Sequence, residues 1–276
     1  MQNAIVVFSK VPKLGTTKTR LTTDKGGILT PEEAMAFYEG CLLDVINVCI
    51  AADCGDVWVC YNQNGDPEYL EQFLARTSDR QKIKGTFTDK GGTFDDCIQY
   101  SADYILKQGS PDRIADSVMI VGGDIPSLQP DMLQSALTKM KKLAASEQGL
   151  AVAVNKEALT APIGAAIVEG ACQEGGFSII GFTCTTPFDF YKVFYNMDGI
   201  TALDMLVAKA KDKKIPLATV SMAPDVDIPL DLASIIPMVR ALEVAASYDD
   251  SVLIPANTLE IMEKIGLEST TTPPQR

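Results

Sequence analysis

Short apolar runs separated by capped helical segments occupy the first 150 residues, and that alternation restricts the fold more than any single motif does. Residues 4–8, Ala-Ile-Val-Val-Phe, read as a buried strand. Thr30-Pro31-Glu32-Glu33 then supplies an N-cap, a proline in the first turn and a capping-box glutamate, opening a helix that the apolar pattern carries to about residue 52. Further strands are expected at 57–61, near 83–87 and at 117–121. Helices are expected after Asp66-Pro67-Glu68, after Thr93 with Asp96 three residues on, and over about 130–145. Strands alternating with helices imply parallel βαβ units, hence an α/β, Rossmann-like three-layer sandwich on a mostly parallel sheet. Ligands of such sheets bind beyond the carboxyl ends of the strands.

The rhythm changes near residue 150, where strand-like runs at 150–154, 163–168 and 177–182 follow one another closely and call for a mixed or antiparallel patch. A helix near 201–211, a strand at 217–222 and a helix after Pro229 complete a single domain over residues 1–246. Residues 247–276 read as a C-terminal extension with one weak helical pattern, its last residues, Ser-Thr-Thr-Thr-Pro-Pro-Gln-Arg, expected to be disordered.

Composition narrows the chemistry. The 276 residues include no histidine, so imidazole bases, Ser-His-Asp triads and histidine-bearing zinc sites are excluded, and acid-base or metal work falls to Asp, Glu, Lys, Tyr or Cys. With 24 Lys plus Arg against 36 Asp plus Glu, the net charge of −12 argues against nucleic acid as a partner. Seven cysteines without a C-x-x-C pair fit reduced thiols. No signal peptide or membrane span is expected, and the cytoplasm is the expected location.

Against this acidic background, residues 10–25 carry Lys10, Lys13, Lys18, Arg20 and Lys25 with a single acid, Asp24. A basic loop at the carboxyl end of the first strand suits capture of a diphosphate, although a solvated lysine-rich loop fits the spacing equally. It is neither a Walker loop nor a G-x-G-x-x-G fingerprint. Two acidic motifs follow other strand ends: Gly122-Gly123-Asp124-Ile125-Pro126 and Pro224-Asp225-Val226-Asp227-Ile228-Pro229. Asp124 could cap the helix at Pro130 and Asp227 the helix at Pro229. A hard cation, Mg²⁺ or Mn²⁺, bound by Asp124 and Asp227 together with diphosphate oxygens is the alternative.

The order F-x-K-x-P-x-x-G-x-x-K-T-R-L, G-x-D-x-P-x-L, an acidic-Gly-Gly-aromatic segment and D-V-D-x-P-x-D-L, over about residues 3–240, resembles the DUF2064 family of glycosyltransferase-like proteins. The resemblance implies the GT-A fold of the nucleotide-diphospho-sugar transferase superfamily, with pattern relatives in 2-phospholactate guanylyltransferase and CMP-Kdo synthetase. It implies Asp124 and Asp227 as holders of a divalent metal, Lys18 and Arg20 as phosphate contacts, Lys10 and Gly15 as shapers of the nucleotide loop, and Gly92 and Thr93 as part of the nucleotide-binding edge. Three departures stand out: Glu174-Gly175-Gly176-Phe177 replaces the usual D-G-G-Y, Lys90-Gly91-Gly92-Thr93-Phe94-Asp95-Asp96 replaces Q-x-G-G-D-L-G, and Ile228 stands where Thr is usual.

Two reactions fit: glycosyl transfer from a nucleotide-sugar, with Glu174 as base if the transfer inverts, or nucleotidyl transfer from an NTP to a small anionic acceptor, which needs no base. A non-catalytic nucleotide-binding protein of the same fold is the third reading. On this reading of the loop, truncating Lys18 or Arg20 weakens nucleotide binding by roughly 1.5 to 3 kcal/mol and leaves the unliganded melting temperature nearly unchanged.

Overall fold

The structure, a computed structural model, describes residues 1–157 and 159–269. Among the described residues seven strands form one mixed sheet: β1 (Asn3–Ser9), β2 (Asp56–Tyr61), β3 (Ile83–Thr88), β4 (Ser117–Gly122), β5 (Ile167–Ala171), β6 (Phe177–Thr183) and β7 (Leu217–Thr219). Their order is β3-β2-β1-β4-β6-β5-β7, and only β6 runs against the others. Among the described residues eight α-helices accompany them: α1 (Pro31–Ala52), α2 (Pro67–Leu74), α3 (Phe94–Leu106), α4 (Pro130–Ala144), α5 (Glu147–Val152), α6 (Ala202–Asp212), α7 (Pro229–Ala246) and α8 (Ala256–Ile265).

Alternation along the buried strands assigns the faces. On β1, Ile5 and Val7 pack with α1, α2 and α4, whereas Ala4 and Val6 pack with α3 and α6. Helices on both sides of the sheet make the expected three-layer α/β sandwich. A third apolar cluster joins α1 to α7 and α8 through Phe37, Cys41, Leu232, Ile235, Leu259 and Met262. Helix α1 is long and apolar enough to cross a membrane by length and composition, but most of it is buried within this packing.

Local chemistry starts the helices as read from sequence. Thr30 accepts from the Glu33 amide at 3.2 Å while Glu33 accepts from the Thr30 amide at 2.8 Å, and Thr93 with Asp96 repeats the arrangement on α3. Two strand expectations are corrected. Residues 147–152 form α5 rather than the start of a strand, because Ser146 accepts from the Gly149 amide and caps the turn. Residues 163–166 precede the ladder: Gly164 and Ala165 donate to Ala144 and Gly149 at the α4–α5 corner, so β5 starts only at Ile167. The expectation for the final residues, 269–276, falls outside the described residues from 270 onward.

Asp44 of α1, 4% exposed, binds the start of α8: it accepts from the Asn257 amide at 3.2 Å, the Asn257 side chain at 2.7 Å and the Thr258 amide at 2.7 Å. Burial pushes its pKa up against the lowering effect of those donors.

Candidate active site

β1 and β4 are parallel neighbours, so the loops that leave them open at the same edge of the sheet. The chain after β7 is brought there by backbone pairing: Val220 donates to Glu169, Ala223 to Ala171, and Val226 to the Asp124 carbonyl at 3.2 Å. That last bond stitches the two acidic motifs together, although they lie 103 residues apart in sequence.

The side chains converge accordingly. Lys18 Nζ lies 2.5 Å from Asp124 Oδ2 and 2.8 Å from Asp227 Oδ1, and Arg20 Nη2 lies 2.6 Å from Asp227 Oδ2. The Lys18 side chain is only 8% exposed, against 62% for Arg20. Burial opposes the Lys18 charge, but the two carboxylates outweigh it and raise its pKa. Burial likewise opposes charge on Asp227, and Lys18 and Arg20 overcome this to hold its carboxyl below the usual range. Asp225, half-buried, is pushed up to about 6 by burial and then by the like charges of Asp124 and Asp227. Neither Asp124 nor Asp227 acts as a helix cap. Asp231 serves α7 by accepting from the Asp227 and Ile228 amides, both at 2.8 Å, and α4 starts without a side-chain cap.

Several supporting residues carry no motif of their own. Tyr38, buried on α1, accepts from the Lys10 amide at 3.0 Å and lies under Lys18, whose Nζ is 5.7 Å from the ring centroid. A side chain at Gly123 would crowd Leu42, Ser9 and the Tyr38 hydroxyl, so glycine lets the backbone reach Asp124 past these groups. Gln173 donates to the Asp225 carbonyl at 2.7 Å and to Asp231 Oδ1 at 3.0 Å, anchoring the turn that carries Glu174. Only tertiary proximity reveals Tyr38 and Gln173 as parts of the site, whereas Asp231 is the last acid of the D-V-D-x-P-x-D-L segment and its role as the cap of α7 is what the structure adds.

The remaining sequence candidates lie on loops at this edge without hydrogen bonds or ion pairs to the cluster. Lys10 is exposed, and Gly15 adopts φ 72° in a turn closed by the Thr16 and Thr17 amides on the Lys13 carbonyl. Gly92 adopts φ 97° and Thr93 is committed to capping α3. Glu174 is exposed at φ 58°, and among the described residues nothing hydrogen-bonds its carboxylate.

The fit to a divalent cation is testable from these contacts. The carboxylate oxygens of Asp124 and Asp227 lie no farther apart than the sum of their two contacts to Nζ. Two ligands of one hard cation span up to roughly 5 Å at metal–oxygen distances of about 2.0 to 2.6 Å, so the pair fits such an ion. Among the described residues no cage of three or more Cys, Asp or Glu ligands is formed, so the other ligands would come from a bound phosphate or water.

The chain has an α/β fold of the kind found in a solved nucleotide-diphospho-sugar transferase-like structure. The chain is similar over 96% of its length, and 98% of the other, to a "putative nucleotide-diphospho-sugar transferase" from Desulfovibrio desulfuricans G20, at 19% identity and a TM-score of 0.66. A cytidylyltransferase from Leptospira borgpetersenii serovar Hardjo-bovis (strain JB197) aligns over both full chains at 13% identity with a TM-score of 0.49. Comparison with curated proteins finds no match. Residues 45–197 match the model of DUF2064, described as an uncharacterized protein conserved in bacteria, and the chain belongs to that family. The matched span holds Asp124, Glu174, Gly92 and Thr93; Lys18, Arg20 and Asp227 lie outside it and are joined to it by the contacts above.

Proposed function

We propose that this chain is a divalent-metal-dependent transferase that draws on a nucleotide-activated donor, in the first place a nucleotide-sugar. One observation carries the reading: at the strand-end edge of a fold shared with the Desulfovibrio protein, Asp124 and Asp227 meet around one cationic centre supplied by the basic loop. Asp124 and Asp227 would hold Mg²⁺ or Mn²⁺, which when bound neutralises charge on a departing phosphate group. Lys18 and Arg20 bind phosphate oxygens by charge-assisted hydrogen bonds. The glycines at 91 and 92 and the amides opening α3 form the nucleotide-facing edge with Lys10 and Gly15. Glu174 stands on the acceptor side and would accept the acceptor's proton if the transfer inverts.

A second reading, nucleotidyl transfer to an anionic acceptor, is favoured by the setting of Glu174. General bases are commonly oriented by a neighbour, whereas Glu174 is exposed and has no hydrogen-bonded partner among the described residues. Thermal-shift measurements with NDP-sugars and NTPs, each with and without Mn²⁺, test the proposal, since a specific ligand raises the melting temperature by mass action. Stabilisation by neither class removes the nucleotide-donor reading. With a donor in hand, Glu174→Gln tests the base: a fall in turnover of about 10²- to 10⁴-fold supports an inverting glycosyl transfer, and unchanged turnover removes Glu174 as base and leaves nucleotidyl transfer or a retaining glycosyl transfer, which the class of the donor distinguishes.

A further inference from the structure

Lys18 is half-embedded in the site it is read as serving. Its nitrogen occupies the place between Asp124 and Asp227 where a shared cation would have to stand, and its side chain is nearly closed to solvent. We infer that Lys18 is the resident counter-ion of the Asp124–Asp227 pair, so that the ammonium and a divalent cation exclude one another and the metal gains the pair only as Lys18 moves out toward phosphate. This deepens, and rests on, the metal-dependent reading above.

The geometry makes the exclusion strict. A hard divalent cation sits about 2.0 to 2.6 Å from its oxygens, and Nζ already stands 2.5 and 2.8 Å from one oxygen of each carboxylate. Both positions fall in the same gap, and two positive centres cannot share it. Lys18 is built to leave. Its backbone is pinned in the left-handed region at φ 49°, and the following turn is closed by the Leu21 amide on the Lys18 carbonyl at 2.9 Å. The flexible four-carbon stem can therefore swing while the loop stays in place. Arg20 is differently placed: it holds the other oxygen of Asp227, Oδ2, and is largely exposed, so it can remain while an ion takes the place of Nζ.

A divalent ion standing where Nζ stands would free Lys18 for an incoming anion. Metal alone must displace a doubly paired lysine, whereas metal arriving with phosphate gives that lysine a new partner, so the two occupancies favour each other.

The test uses Mn²⁺ itself as the probe, by calorimetric titration of the full chain. Lys18→Met removes the competing ammonium without adding a hard ligand and is expected to bind Mn²⁺ at least tenfold more tightly than wild type, with the gain abolished by adding Asp124→Asn. Equal Mn²⁺ affinity in wild type and Lys18→Met overturns the exclusion while leaving a metal site standing. Mn²⁺ binding by neither protein overturns both the exclusion and the metal-dependent reading. If Lys18→Met does not fold, the wild type answers alone: mass-spectrometric acetylation with acetic anhydride should show Lys18 protected without metal and more reactive at saturating Mn²⁺, and unchanged reactivity overturns the proposal.

Discussion

Replacing Lys18 by methionine tests whether the basic loop is a binding device alone or also part of what holds the fold together. A solvated loop would leave unliganded stability nearly unchanged on mutation, but the structure places Lys18 in two ion pairs with its side chain 8% exposed. Removing one partner of a buried pair destabilises by about 3 to 5 kcal/mol. Two features reduce that figure here: the side chains of Asp124 and Asp227 retain 23% and 40% exposure, and Asp227 keeps Arg20. A loss of about 2 to 3 kcal/mol follows, or a fall in melting temperature of roughly 5 to 10 °C for a chain of this size. Scanning calorimetry across pH provides a second signature. Asp227 is held below the ordinary carboxylate range, so its share of the stabilisation is present above that range and is lost as pH falls through the lowered value. The pKa of Lys18 is raised, so its share is present below its ordinary value and disappears only at strongly alkaline pH. The difference between wild type and variant should therefore be level from about pH 7.5 to 9 and narrow as pH falls, first as Asp225 takes up its proton near about 6 and then below about pH 4 as Asp227 does. A variant melting within a degree or two of wild type at pH 7.5 would refute the reasoning and return Lys18 to the surface.

Two further outcomes test the frame around the site. Asp44→Ala strips the acceptor from the first amides of α8 and should cost about 2 to 4 kcal/mol in urea denaturation, with earlier proteolytic release of the C-terminal segment; wild-type stability would show that α8 is not anchored through Asp44. Glu169 on β5 is 3% exposed with Oε2 unpaired, and burial raises its pKa, so the native state favours its protonated form. Its penalty is absent below the ordinary carboxylate pKa and appears as pH rises through the raised value. Glu169→Met should therefore melt higher than wild type at pH 8, by about 1 to 3 kcal/mol of stability, with the gap closing toward pH 4; equal melting at pH 8 would show that this carboxylate is not strained by burial.

The helix starts and most strands of the α/β frame were legible because their signals are local. Thr30 with Glu33 and Thr93 with Asp96 cap their helices through neighbours three residues away, and buried parallel strands such as β1 carry an unbroken apolar run, residues 4–8, whatever lies beside them. The same reasoning failed at residues 147–166, where an apolar run suits a strand or a helix equally and Ser146 decided for helix. Motif order pointed to Lys18, Arg20, Asp124 and Asp227, since basic and acidic residues at strand ends announce themselves in one dimension. What no linear reading contains is their partnership. The bond from Val226 to the Asp124 carbonyl, the parallel pairing of β1 with β4, and Tyr38 beneath Lys18 join segments distant in the chain. Whether a lysine at position 18 stays in solvent or lies between two carboxylates depends on a desolvation and pairing balance that exists only once those segments meet. Residue types and caps are properties of the chain; the charge balance at the site is a property of the fold.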